Sequence, residues 1–205
     1  MIRSVLVTIL AIGGILSGRA QPSERGRAAV VEVARVQSGT VRDGAGAVWY
    51  QIEINLRVKG SGSGRERYAS GVGVTLNLAT ETKEALSGWE FYRAAVKAVA
   101  LENGQHVVRF YLPPELVARD RLQGDLEFWA IDLSLQGQEM PKNRSQVGEG
   151  FSTPVALENF RKQLAREAGR NDGVLLPQHL TPFGDFDSAN LGPTMTRAEA
   201  TQPNR

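Results

Sequence analysis

Apolar and polar side chains alternate along residues 49–59, and this alternation restricts the fold more than any other feature of the sequence. Successive side chains of a β-strand point to opposite faces of its sheet, so the run predicts a strand with one buried face and one solvated face. Such strands are typical of antiparallel sheets, because the strands of parallel sheets are buried on both faces. The apolar set is Tyr50, Ile52, Ile54, Leu56 and Val58.

Other segments of the chain also have strand character. Residues 72–78 repeat the alternation, and residues 107–112 are rich in β-branched and aromatic side chains. Residues 126–135 form the last strong candidate, with Trp129, Ile131, Leu133 and Leu135 on one face. Residues 30–37 alternate less regularly, which is typical of an edge strand or of a β-bulge. Glycine-rich stretches separate these segments, as expected for the turns of an antiparallel sheet.

Residues 89–101 allow two interpretations. Their alanine-rich run suits a helix, and Ser87 and Glu90 have the spacing of a capping box. Asn103 and Gly104, however, separate two runs of strand-like composition, and an Asn-Gly pair is a strong signal for a tight β-hairpin. We favour the hairpin, with residues 89–101 as its first strand, and the helix is the alternative.

Together these segments predict about six strands over residues 28–136. Turn signals at this spacing are typical of two stacked sheets, so the predicted fold is mainly β, an immunoglobulin-like antiparallel β-sandwich. The chain contains no cysteine, so no disulfide stabilises this sandwich.

The C-terminal part of the chain differs in composition. Residues 137–186 form a predicted extension that contains an amphipathic helix over residues 154–168. Thr153 is a favourable N-cap residue, and Gly169 is a natural helix stop. Residues 187–205 have the composition of a disordered tail.

Residues 1–20 have the order of a secretory signal peptide. A basic start is followed by an apolar run, and Gly18 and Ala20 are the small residues that precede a cleavage site before Gln21. We therefore expect a flexible leader over residues 21–27 and a periplasmic or extracellular protein with no integral membrane span. The alternative is an uncleaved anchor, although the apolar run is shorter than the roughly 20 residues that span a bilayer.

The charge balance argues against a nucleic-acid partner. The signal peptide holds Arg3 and Arg19 and no acidic residue, so removing it reduces the 24 basic residues to 22, equal to the 22 acidic residues. The remaining charges are interspersed, and no basic stripe with interleaved aromatic side chains is present. We expect no nucleic-acid binding.

The sequence contains no signature of catalysis. His106 and His179 lie far apart and have no acidic neighbour, and without cysteine a zinc site would have only these histidines and carboxylates as ligands. No nucleophile elbow is present. We therefore predict no catalytic residue, no metal and no cofactor, and the protein is not expected to be an enzyme.

Six apolar side chains are candidates for contacts with a partner. They are Leu157, Phe160, Leu164, Phe183, Phe186 and Trp49. The three on the predicted helix either close one open side of the sandwich, which we favour, or dock on another protein. Trp49 lies on the polar face of its strand, and exposed tryptophan rings also stack on sugars. A carbohydrate-binding module of the cell envelope is therefore the alternative function, with a glycan as partner.

Several blocks of the sequence resemble a group of secreted immunoglobulin-like proteins of mucin-associated and related bacteria. The blocks are residues 91–92, 108–115, 128–133 and 137–139, within a resemblance that extends over residues 30–180. The genes of that group lie beside components of type IV pili and of type II-like secretion systems. The resemblance implies a non-enzymatic role in envelope or pilus assembly, with an envelope or pilus protein as partner. It carries over no functional residue.

Overall fold

The strands form where the sequence alternates between apolar and polar side chains. A computed structural model describes residues 29–60, 67–83, 85, 88–184 and 195–197, the last three by backbone alone. Its strands and helices are β1 Val30–Arg42, β2 Val48–Lys59, β3 Tyr68–Glu81, β4 Trp89–Glu102, β5 Gly104–Leu112, α1 Pro114–Asp120, β6 Trp129–Leu135, β7 Gln138–Glu139, α2 Pro154–Glu167, β8 Leu176–Pro177 and β9 Met195–Arg197.

The strands are arranged in two antiparallel sheets. Sheet A has the order β1-β2-β5-β8, and sheet B has the order β7-β6-β3-β4-β9. Apart from the short β8 and β9, this is the immunoglobulin-like arrangement in which strands A-B-E face strands G-F-C-C′. The predicted immunoglobulin-like β-sandwich is therefore confirmed.

The core lies between the two sheets and consists of the side chains that the alternation places on one face. From β2, Ile52, Ile54 and Leu56 are fully buried, and they face Leu76 of β3 and Ile131 of β6. The polar residues between them point outward, so the prediction for residues 49–59 is correct at each apolar position. Burial of these side chains is the main source of stability in a fold without disulfides.

Residues 89–101 are a strand, as favoured, but the predicted hairpin at Asn103 and Gly104 is wrong. β4 pairs with β3 in sheet B, whereas β5 pairs with β2 in sheet A. The tight connection carries the chain from one sheet to the other, and Gly104 adopts a φ of 135° there. An Asn-Gly pair indicates where the chain reverses, but it does not indicate whether the next strand joins the same sheet.

The predicted helix over residues 154–168 is observed as α2. The Thr153 hydroxyl caps its first turn by accepting a hydrogen bond of 3.2 Å from the Ala156 amide. Gly169 does not end the helix in a left-handed turn, because the chain continues as a 3₁₀ helix, Ala168–Asn171. Among the helices within the described ranges, none has the length and apolar character needed to cross a bilayer.

The outer edge of β4 is partly covered. The Asn171 side chain donates a hydrogen bond of 3.1 Å to the Phe91 carbonyl, and β9 pairs with Val96, Lys97 and Ala98. The short strand β9 lies in the segment predicted as a disordered tail. The signal peptide, the flexible leader, Phe186 and the rest of the tail lie outside the described residues.

Candidate interaction surface

Helix α2 packs on the outer face of sheet B and forms a second apolar cluster there. Ala79, Phe91 and Ala130 of the sheet contact Phe160, Leu164 and Ala168. Phe160 and Leu164 are only 6% and 3% exposed. The structure thus places these two predicted contact residues inside the molecule, as expected if the helix covers one side of the sandwich. The flanks of α2 remain accessible.

An aromatic groove runs along one flank of α2. Its rings form a continuous chain, with centroid distances of 5.0 Å for Trp89–Phe128, 5.5 Å for Phe128–Phe151 and 4.9 Å for Phe151–Phe160. The cavity measures about 230 Å³, and Ala156, Asn159 and Gln163 line it from the helix. Trp89, Phe128 and Phe151 are half-buried, so this groove presents apolar surface to a ligand.

A basic groove of about 420 Å³ runs along the other flank. Its charged lining consists of the cations Lys142, Arg144 and Arg161 and the acid Glu158, and its apolar lining includes Ile131, Val147 and Leu157. Leu157, a predicted contact residue, is half-buried here. The volume lies within the range of about 300–1,000 Å³ that is usual for ligand sites.

Asp132 of β6 forms ion pairs with two of these cations. Its Oδ1 atom lies 3.3 Å from both Lys142 Nζ and Arg161 Nη2, while its Oδ2 atom accepts a shorter hydrogen bond of 2.9 Å from Asn77. The other acid of the groove, Glu158, is bound by Lys162 at 2.7 Å, and this contact lowers the pKa of Glu158. Among the described residues, the Nε atom of Arg161 is buried and has no hydrogen-bond partner.

The segment before α2 forms a fixed wall of the basic groove. Asn143 and Gln146 form a capping box around the 3₁₀ turn Arg144–Gln146. The buried Gln146 side chain donates to the Ile131 carbonyl at 3.2 Å, and Ser145 Oγ donates to the Val33 carbonyl at 2.7 Å. These bonds connect the wall to both sheets.

Trp49 and Phe183 lie together on the outer face of sheet A, away from α2. Phe183 stacks on Tyr111 at 4.6 Å and meets the Trp49 ring edge-on at 5.9 Å. The Trp49 indole donates a hydrogen bond of 3.0 Å to Asp43, which lowers the pKa of that carboxyl group. Trp49 is 9% exposed, so its ring does not present a sugar-stacking platform.

A polar network that the sequence did not reveal closes one end of the sandwich. Arg119 of α1 donates to Glu90 at 2.6 Å and to both oxygens of Asp120 at 2.8 Å, and it contacts the Tyr92 hydroxyl at 3.2 Å. Burial raises the pKa of Tyr92 well above its ordinary value, and the hydroxyl donates to Glu90 at 2.6 Å. This network joins α1 to β4 and serves the fold.

Comparisons with known proteins indicate the fold and no more. The chain is similar to a crystal structure from Akkermansia muciniphila, with a TM-score of 0.59 and 13% sequence identity over 86% of this chain and 95% of that one. No protein-family model matches the sequence, and no curated protein matches it either. Within the described ranges, no cluster of histidine, aspartate and glutamate side chains is placed to hold a metal ion.

Proposed function

We propose that this protein is an exported, non-catalytic immunoglobulin-like module of the cell envelope, which binds another protein through the face that carries α2. One observation carries the proposal: α2 is held on sheet B by buried side chains, yet a groove stays open along each of its flanks. A helix that is anchored by buried side chains, with a groove on each flank, meets the requirement that interface residues be held in place before binding.

The sequence supports the cellular setting of this proposal. Residues 1–20 have the composition of a signal peptide, and the resemblance to secreted immunoglobulin-like proteins implies a role in pilus or secretion-system assembly. A structural protein of the envelope or pilus is therefore the proposed partner. The carbohydrate-binding alternative loses support, because it depended on an exposed Trp49 ring.

Export is tested by expressing the full chain in a Gram-negative host and sequencing the N-terminus of the product. The proposal requires a periplasmic or secreted protein that begins at Gln21. A product that keeps Met1 and remains in the cytoplasm would contradict it. Replacing Arg3 with glutamate should slow processing, because the basic start directs insertion.

The binding face is tested by photocrosslinking in the envelope of the native organism. A photoreactive residue is placed at Val155 of α2, which is 63% exposed, and the matched control carries it at Val99 of β4, which is 60% exposed. We expect a crosslink to a pilus, secretion-system or other envelope protein from Val155 and none from Val99. Equal crosslinking from both positions, or none from Val155, would refute the α2 face as the binding site.

A further inference from the structure

We propose that the basic groove binds an extended peptide segment in which an aspartate or glutamate is flanked by apolar side chains. The inference rests on the proposed function and adds the chemistry of the partner. It places the acidic side chain between Lys142 and Arg161, and the apolar neighbours against Leu157 and Val147.

The charges of the groove favour a carboxylate ligand. Lys142 and Arg161 share a single carboxylate, Asp132, and both contacts measure 3.3 Å. Well-formed charged hydrogen bonds of this kind measure about 2.7–2.9 Å. Lys162 shows that closer contact is achieved on the same helix, because it lies 2.7 Å from Glu158. The two groove cations therefore have unused capacity for a second carboxylate.

Arg144 adds to this positive potential. Its Nη1 atom donates to the carbonyl groups of Val147 and Gly148, at 2.8 and 3.2 Å, so the guanidinium is held at the groove by backbone contacts. No ion pair of Arg144 with an acidic side chain is present among the described residues. A positioned guanidinium of this kind suits a carboxylate, because its donors lie in one plane.

The apolar part of the lining distinguishes a peptide from an acidic sugar. Ile131, Val147 and Leu157 offer aliphatic surface, and the groove lining contains no aromatic ring on which a pyranose could stack. Aliphatic side chains beside an acid would bury apolar area against this surface while the acid meets the cations. An oligosaccharide of uronic acids would satisfy the cations but leave the aliphatic surface unpaired.

The probe for this inference is a phage-displayed library of random eight-residue peptides, selected on the processed protein. We expect selected peptides to be enriched in aspartate or glutamate next to leucine, isoleucine or valine. Enrichment of basic peptides, or of apolar peptides without an acid, would overturn the inference. So would oligogalacturonate that displaces a bound peptide and binds more tightly than the selected peptides do.

Variants then test where the selected peptide binds. By fluorescence anisotropy, Arg161→Gln and Lys142→Gln should each weaken binding by about three- to tenfold, because each removes one charged contact to the acid. The control Arg166→Gln removes the same charge from the same helix outside the groove, and its affinity should equal that of the wild type. Replacing the acid of the peptide by its amide should weaken binding to the wild type more than either variant does, because both charged contacts are lost. In each variant the same replacement should cost less than in the wild type, because only one contact remains to be lost.

Salt dependence and folding complete the test. Binding should weaken as the NaCl concentration rises, since the Debye length falls from about 10 Å at 0.1 M to about 3 Å at 1 M. Circular dichroism should show that both glutamine variants keep the β-sheet spectrum of the wild type. Equal affinity of Arg161→Gln, Lys142→Gln and wild type would refute the groove as the peptide site, while the Val155 crosslink would test the proposed function independently.

Discussion

Replacing Arg119 with methionine should destabilise the protein by about 3 kcal/mol, because it leaves a buried carboxylate without its cation. The Asp120 side chain is fully buried, and both of its oxygens accept hydrogen bonds of 2.8 Å from Arg119. Glu90 loses its 2.6 Å contact in the same variant. Methionine keeps the length and much of the apolar contact of the arginine side chain, so the loss reports mainly on charge.

The magnitude follows from the degree of burial. Removing one partner of a buried ion pair costs about 3–5 kcal/mol. The Arg119 and Glu90 side chains are 25% and 19% exposed, so solvent screens part of the interaction and the lower end of that range applies. In a chain of this length, 3 kcal/mol lowers the melting temperature by about 6–12 °C.

Urea denaturation of the processed protein, followed by circular dichroism, measures the loss. The control is Lys59→Met, which breaks an exposed pair with Glu32 at 3.5 Å and should cost less than about 0.5 kcal/mol. The double variant Arg119→Met, Asp120→Leu should recover about half of the loss, because it removes the unpaired charge as well. A loss of less than about 1 kcal/mol in Arg119→Met would refute the argument that the network stabilises the fold.

Three further predictions concern the packing and titration of the fold. Phe160→Ala should lower the free energy of unfolding, measured by urea denaturation, by about 3 kcal/mol, because the Phe160 side chain is only 6% exposed. A change near zero would show that the packing of α2 on sheet B does not stabilise the fold. Burial raises the pKa of Tyr50 and Tyr92 above the ordinary 10.0, so the unfolded chain loses these protons first. The free energy of unfolding should therefore stay constant with respect to these two groups below about pH 10 and decrease above it. If it decreases as steeply in the double variant Tyr50→Phe, Tyr92→Phe, the two tyrosines are not the cause. Gly148→Ala should lower the melting temperature strongly, because the added methyl group would overlap the Glu127 carbonyl. The control Gly169→Ala should keep the wild-type melting temperature, because no atom lies within 4 Å of the methyl group that it adds.

The strands were predictable because each depends on a local pattern. The alternation in residues 49–59 determined which side chains of β2 are buried, and Thr153 determined where α2 begins. The assignment of β5 to a hairpin with β4 failed because the choice of sheet depends on long-range pairing with β2. Turn residues report local backbone conformation and carry no information about that partner.

The basic groove was not predictable for a related reason. Arg161 and Asp132 are 29 residues apart in the chain and come together only when α2 packs on sheet B. In the sequence, Arg161 is one of several charged residues on the polar side of an amphipathic helix, which is typical of a solvated surface. Lys142 lies in a polar connecting segment, and nothing local distinguishes it from other surface lysines.

The covered edge of β4 limits how this module can assemble. With the Phe91 carbonyl engaged by Asn171 and the Val96–Ala98 stretch paired to β9, part of the backbone on that border is already hydrogen-bonded. Uncontrolled fibre growth through continuous sheets is thereby disfavoured. A neighbouring molecule that approaches this part of sheet B would then meet side chains rather than open backbone groups.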